Sequence, residues 1–173
     1  MESTSGDLDL PEPPHSINWN TLTADEAEIA WRELDAWVHW LRRTYALPAT
    51  IIPPAWHRHP ELVWELSALH LHWLGAYDPD QHGSAPLGWH RDFADARERL
   101  RDWVATSGTR LDHDRPTRQT TWPGENLPRE DEVQEARIVN RDEDFAAFVT
   151  DDISRRRRRA PDCGSPGSDA QWQ

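Results

Sequence analysis

The sequence predicts an all-α protein: a small three-helix bundle over residues 23–108, after a disordered acidic arm (1–22) and before a long disordered acidic and arginine-rich tail (109–173). Three observations carry this reading. The stretch Trp56-His57-Arg58-His59-Pro60-Glu61-Leu62-Val63-Trp64 is a clear helix start and opens the most apolar helix. Apolar residues recur at spacings of three and four in three segments separated by Pro- and Gly-containing turns. Finally, Leu, Ile, Val, Phe, Trp and Tyr number 27 in the 85 residues from 23 to 107 and 16 in the other 88. The middle can therefore bury a core large enough to offset chain entropy, and the flanks are too poor in apolar surface to do so.

The elements follow in order. Thr23-Ala24-Asp25-Glu26 is a capping box, with a hydroxyl and a carboxylate three residues apart to satisfy each other's backbone donors. Helix 1 is expected over 23–45. Its main stripe is Ala27, Ala30, Trp31, Leu34, Trp37, Val38, Leu41 and Tyr45, and Pro48 stops it. Residues 46–59 form a loop with Pro48, Pro53 and Pro54, beneath which Ile51 and Ile52 tuck. Helix 2 covers 60–77. Pro60 suits its first position, where the missing N–H would be unpaired anyway, and Glu61 suits the positive end of the helix dipole. Leu62, Val63, Leu66, Leu69, His70, Trp73, Leu74 and Tyr77 make its core stripe.

Residues 78–85 are a turn. Helix 3 covers 87–107, with Trp89, Phe93, Ala96, Leu100, Trp103 and Val104 on one narrow face and Gly108 as its stop. The three helices are expected to pack antiparallel through short loops. The tail holds a sparse apolar set, including Phe145, Phe148, Val149 and Ile153, with room for a short helix over 142–153. The expectation is that the domain folds without residues 109–173.

Composition excludes several classes. The net charge is −12, which argues against nucleic-acid binding through the folded part. All 19 basic residues are arginine, and the single Cys163 leaves no disulfide framework and no cysteine zinc site. The acidic Met1–Pro14 stretch has no apolar core of a signal peptide, and no run reaches the length of a membrane span, so the protein reads as cytoplasmic with no membrane partner.

Candidate chemistry is thin. His57, His59 and His90, with Asp92, would make a histidine-rich zinc site only if the starts of helices 2 and 3 met, and no standard ligand spacing is present. His59, Glu61 and Asp92 are the one cluster resembling an acid–base set. The simpler reading is that His59 helps cap helix 2 while Glu61 and Asp92 complement helix dipoles. No phosphate loop, nucleophile elbow or HExxH occurs, and no cofactor is implied. Arg155, Arg156, Arg157, Arg158 and Arg159 form the single dense run of positive charge, able to meet nucleic acid, though acids crowd before it. Helices 1 and 2 carry second apolar faces: Ile29, Ala36 and Trp40 on one, Trp64 and Leu71 on the other. One stripe per helix suffices for a bundle, so these residues point to a protein partner or a homodimer.

Trp56-His57-Arg58-His59-Pro60-Glu61, Leu66-Ser67-Ala68-Leu69, Trp73, Trp89-His90-Arg91-Asp92-Phe93, Trp103 and Trp122-Pro123-Gly124-Glu125 resemble a family of uncharacterised actinobacterial proteins over roughly residues 47–122. Its members look like accessory proteins of plasmids and integrated mobile elements. The resemblance implies such an accessory role and carries no catalytic or binding residues with it. The expected function is a non-enzymatic helical interaction module. A nucleic-acid-associated factor acting through Arg155–Arg159 is the alternative, and a histidine-dependent metalloenzyme the least favoured.

Overall fold

In a computed structural model the described residues are 15–117, 119–125 and 135–159. The expected arm falls largely on 1–14 and the end of the expected tail on 160–173, both outside the described residues. The helical class holds, but the described residues form four helices: α1 (Ala24–Thr44), α2 (Pro60–Ala76), α3 (Ala85–Thr106) and α4 (Arg141–Arg159). A 3₁₀ turn, Trp56–Arg58, precedes α2. Two short strands, β1 (His113–Asp114) and β2 (Ala136–Arg137), pair antiparallel, with His113 opposite Arg137. No helix among the described residues is long and apolar enough to cross a membrane.

α1 begins as its sequence dictates. Thr23 Oγ1 accepts from Glu26 N (3.3 Å), while Glu26 Oε2 accepts from Thr23 N (2.8 Å). It ends through a Schellman motif: Leu47 N–H donates to Arg42 O (3.0 Å) and Ala46 N–H to Arg43 O (3.4 Å). That closure needs a left-handed residue, and Ala46 supplies it at φ 49°. The buried Leu47 then turns the chain inward.

The loop that follows determines the topology. Successive tight turns, Ile51 N–H to Pro48 O and Trp56 N–H to Pro53 O, walk the chain back along α1. Leu47, Ile51, Ile52, Pro53 and Trp56 are buried on the way. Trp56 comes to rest beside Trp31, so α2 starts near the middle of α1. Trp37 then stacks on His70 and Trp40 meets Trp73, so contacts rise together along both helices. α1 and α2 thus run in the same direction, which corrects the expected antiparallel packing. α3 is antiparallel to α2: Arg99 pairs with Glu65 and, nearer its start, Asp92 with His72.

The larger correction is α4. It lies antiparallel to α1, with Arg141 against Asp35, Asp152 against Trp31 and Arg157 against Asp25. Phe145, Phe148, Val149 and Ile153 join the core. Both phenylalanines meet Trp31 edge-on, at 6.1 and 5.6 Å between ring centroids. Asn140 caps the helix, its Oδ1 accepting from Asp142 N (3.1 Å) and Glu143 N (3.4 Å). Asp142, Glu143 and Asp144 fill the first turn and arginines the last, the layout that complements the helix dipole. Residues 135–159 are therefore part of the domain, contrary to the expectation of a dispensable tail.

Three smaller expectations also change. Trp103, expected on the core face of α3, is exposed, as are Leu74 and Tyr77 of α2. Gly108 does not supply a left-handed stop, because α3 ends on the extended Ser107. Glycine is needed there because Arg115 crosses it: an added Cβ would lie 1.8 Å from Arg115 Cγ.

Ala46→Gly should stabilise the protein by about 0.5–1 kcal/mol, since glycine adopts the left-handed conformation without the Cβ penalty. Urea denaturation of the two chains checks this, and a stability equal to or below wild type counts against the strained closure.

Candidate functional site: a histidine hub and an aromatic ledge

Trp56-His57-Arg58-His59 is expected as part of the loop before helix 2, with two potential ligands, His57 and His59. In the fold it is a buried hub. Pro60 holds His59 extended (φ −111°, ψ 103°), and the 3₁₀ turn before it sends His57 and Arg58 towards α4. His57 Nε2 lies 2.9 Å from Asp144 Oδ2, and Arg58 Nε donates to the same oxygen at 2.9 Å. Arg58 Nη2 donates to Asp144 Oδ1, completing a two-pronged grip. A carboxylate only accepts, so the His57 proton sits on Nε2, leaving Nδ1 a buried lone pair with no partner among the described residues.

Burial pushes the His57 imidazole down to about 4, against the opposing pull of Asp144. Asp144 is itself disfavoured by burial, yet the hydrogen bonds from Arg58 and His57 carry its carboxyl below the ordinary range. His70, buried beneath Trp37, is likewise pushed down to about 4 by desolvation.

His59 turns the other way. Its ring is wholly buried, with Nε2 at 2.7 Å from Asp114 Oδ1 and Nδ1 at 2.9 Å from Thr117 Oγ1. Thr117 donates to Glu61, which stands 3.7 Å from His59 Nδ1. His59 occupies the N-cap position of α2 but makes no side-chain cap, so the simple capping role does not hold. The β1–β2 pairing presents Asp114 to it, a partner no local pattern announces.

Both ring nitrogens of His59 are thus engaged by protein groups. His90 lies at the other end of α2, where its Nε2 is 3.3 Å from Tyr77 Oη, and Asp92 meets His72 at 3.0 Å. The set His57, His59, His90 and Asp92 is therefore not assembled, and neither is the acid–base trio His59, Glu61 and Asp92. Among the described residues no group of three or more His, Cys, Asp or Glu side chains is placed to hold a metal ion.

The second feature is a surface. Trp40, Trp73 and Tyr77 form a run of touching rings, with centroids 5.0 Å apart for the first pair and 5.4 Å for the second. Trp40 is 38% exposed, Leu74 38% and Tyr77 45%. Trp37, Tyr45 and Trp89 back these rings from within. The ledge joins the end of α1 to the end of α2. Of the residues singled out in the sequence, it contains Trp40 alone. Ile29 and Trp64 are also exposed and Leu71 is half-buried, but Trp64 makes no ring contact with the ledge among the described residues. Leu74 and Tyr77, expected in the core, are exposed, while Trp73, also expected there, is half-buried against it. Nothing in a single helix's periodicity shows that its neighbour stops short of covering its last turn.

The arginine run is the last turn of α4 and is partly used internally. Arg156 Nη1 donates to the carbonyls of Trp19 and Leu22 (2.9 Å each), and its Nε to Asp152 (2.8 Å). Arg155 pairs with Asp151 and Arg157 with Asp25. Arg158 and Arg159 are exposed and make no ion pair among the described residues.

Comparison of the chain with protein-family models, with curated proteins and with solved structures finds no match.

Asp144→Ala should cost about 2–3 kcal/mol, because it strands a buried imidazole and a half-buried guanidinium without their partner. Asp151→Ala, which removes an exposed pair on the same helix, should cost less than about 0.5 kcal/mol. Equal effects in denaturant melts would show that the grip is no stronger than a surface pair.

Acid should destabilise the protein through its buried histidines. Unfolded, His57 and His70 titrate near their ordinary 6.5, and folded near 4. Between those values the unfolded chain binds more protons, so stability falls as pH drops from 6.5 to about 4. Each histidine contributes up to ~3 kcal/mol to the loss. Denaturation midpoints at pH 7.5, 5.5 and 4.5 test this: the slope should flatten in His70→Gln, and an unchanged slope would place the acid sensitivity elsewhere.

Proposed function

We propose that the protein is a non-enzymatic helical interaction module that binds a protein partner through the Trp40–Trp73–Leu74–Tyr77 ledge. One observation carries this reading: the ledge leaves large aromatic and aliphatic side chains contiguous and exposed. Such patches on monomeric proteins tend to be interfaces. Tryptophan and tyrosine are also the residues that dominate binding energy at interfaces. The accessory role in a mobile genetic element implied by the resemblance is part of the same proposal, as is a place in the cytoplasm. Catalysis stands behind it, because the most reactive side chains, His57 and His59, are occupied as cross-links between chain segments. A nucleic-acid role takes second place, since three of the five arginines face intramolecular acids or carbonyls.

Trp40→Ser and Leu74→Glu should each cost about 1 kcal/mol of stability while abolishing association, whether with a second copy or with a protein retained on purification from the native source. Trp31→Ala, a buried ring, should instead cost about 3–5 kcal/mol. Solution mass, co-purifying material and unfolding curves are measured together. Unchanged association in both ledge variants, or a loss of several kcal/mol in either, overturns the reading.

A further inference from the structure

A second feature lies away from the ledge, where the loop after α1 folds back along that helix. A cavity of about 310 Å³ opens between α1, the loop and the start of α4. Val38, Leu47, Ile52, Pro53 and Trp56 line it, and each is buried. The volume is at the small end of the ~300–1,000 Å³ of small-molecule sites, which combine an apolar lining with a few polar groups that choose the ligand.

The polar side chains here are Arg42, His39, Arg141 and Asp142. Arg141 is already committed. It grips Asp35 with both Nη atoms, and its Nη1 also donates to Asp142 Oδ1 at 3.3 Å, so two acids answer its charge. The same Nη1 lies 3.0 Å from His39 Nε2. A guanidinium only donates, so Nε2 is the acceptor and the His39 proton sits on Nδ1. Burial, the largest influence, lowers the His39 imidazole below its ordinary range, which agrees with a neutral ring. Its Nδ1–H has no partner among the described residues. Arg42, three residues further on and so on the same side of α1, forms no ion pair among the described residues. Trp56 is the third donor. It is 2% exposed, and its Nε1–H has no partner among the described residues.

Three side chains around one cavity therefore offer donors without acceptors, and one of them carries an unpaired positive charge. A carboxylate answers such a set, because it only accepts and its hydrogen bonds from a guanidinium are charge-assisted. The buried apolar lining answers a carbon body. We propose that the cavity binds a small monocarboxylic acid, its chain or ring against Ile52, Pro53 and Trp56 and its carboxylate at Arg42 and His39 Nδ1–H. The site is independent of the ledge, since neither Trp40 nor Trp73 lines the cavity.

The probes are octanoate, 4-phenylbutanoate and the uncharged octan-1-ol. Each is titrated into the full chain by calorimetry and followed by NMR of the tryptophan indole N–H signals. One equivalent of an acid should bind and shift the Trp56 signal, and the tighter of the two acids assigns a chain or a ring. Octan-1-ol should bind about tenfold more weakly, and Arg42→Gln, at an exposed position, should weaken both acids about tenfold. Ala49→Phe, which fills the cavity from its wall, should abolish binding while the Trp40 and Trp103 signals keep their places. No binding of either acid up to the millimolar range overturns the proposal. So does equal affinity for octan-1-ol, an affinity that Arg42→Gln leaves unchanged, or binding that survives in a folded Ala49→Phe chain. A shift at Trp40 and Trp73 with none at Trp56 puts the acids on the ledge and overturns the cavity site alone. Octanoate should bind Trp40→Ser as it binds wild type, so failure of the ledge reading and failure of this one are seen separately.

Discussion

Two side chains of one tight turn, His57 and Arg58, grip a single carboxylate, Asp144, that lies 87 and 86 residues further along the chain. Much of the architecture depends on that grip. It fixes the start of α4 against the start of α2 and so lays Phe145 and Phe148 over Trp31. At its other end α4 is tied by Asp152 to the Trp31 indole and by Arg156 to the carbonyls before α1. The same turn sends His59 to Asp114, anchoring the β1–β2 ribbon. A stretch of four residues thus holds both later segments of the chain. The cost is a neutral histidine kept dry, with one ring nitrogen unpartnered among the described residues.

The core explains why such cross-links are needed. Aliphatic residues are few and tryptophans many, so the interior is assembled from large flat rings meeting at tilted or edge-on angles. Rings fill volume well but leave polar N–H groups to satisfy. Trp19, Trp31 and Trp89 do so through Ser67, Asp152 and the Leu69 carbonyl. Those partners lie on other segments, so each of these three indoles also fixes the relative position of two parts of the chain, whereas the buried Trp37 Nε1 has no partner among the described residues. Where the last turns of α1 and α2 run past their neighbours, the same rings emerge as the ledge.

The chain's charge pattern takes on a structural meaning in this light. The acids before the five-arginine run fall in two groups on one helix. Asp142, Glu143 and Asp144 form the first turn of the helix whose last turn is that run, while Asp151 and Asp152 pair with Arg155 and Arg156 beside it; Asp144 and Asp152 are half-buried and Asp142 and Asp151 exposed. An i, i+3, i+4, i+7 pattern was present at Phe145, Phe148, Val149 and Asp152, but its apolar content is low and one core-facing member is a carboxylate. Hydrophobic periodicity cannot score a position that is buried through a hydrogen bond to an indole.

By itself the sequence determined the local structure. The starts of α1 and α2 follow from Thr23, Glu26 and Pro60. The inward faces of Leu62, Leu66 and Leu69 follow from helical spacing, and the burial of Ile51 and Ile52 from their place between prolines. These are decided within a few residues, by backbone donors, fixed φ angles and the 3.6-residue period. Only the tertiary structure decided that α1 and α2 run the same way, that α4 belongs to the domain and that His57 and His59 are cross-links. It alone placed Trp40, Trp73 and Tyr77 together at the surface. Each of those outcomes depends on a partner tens of residues away, and the physical quantities involved, the desolvation of a ring or a carboxylate and what stands opposite it, have no value until the chain has closed.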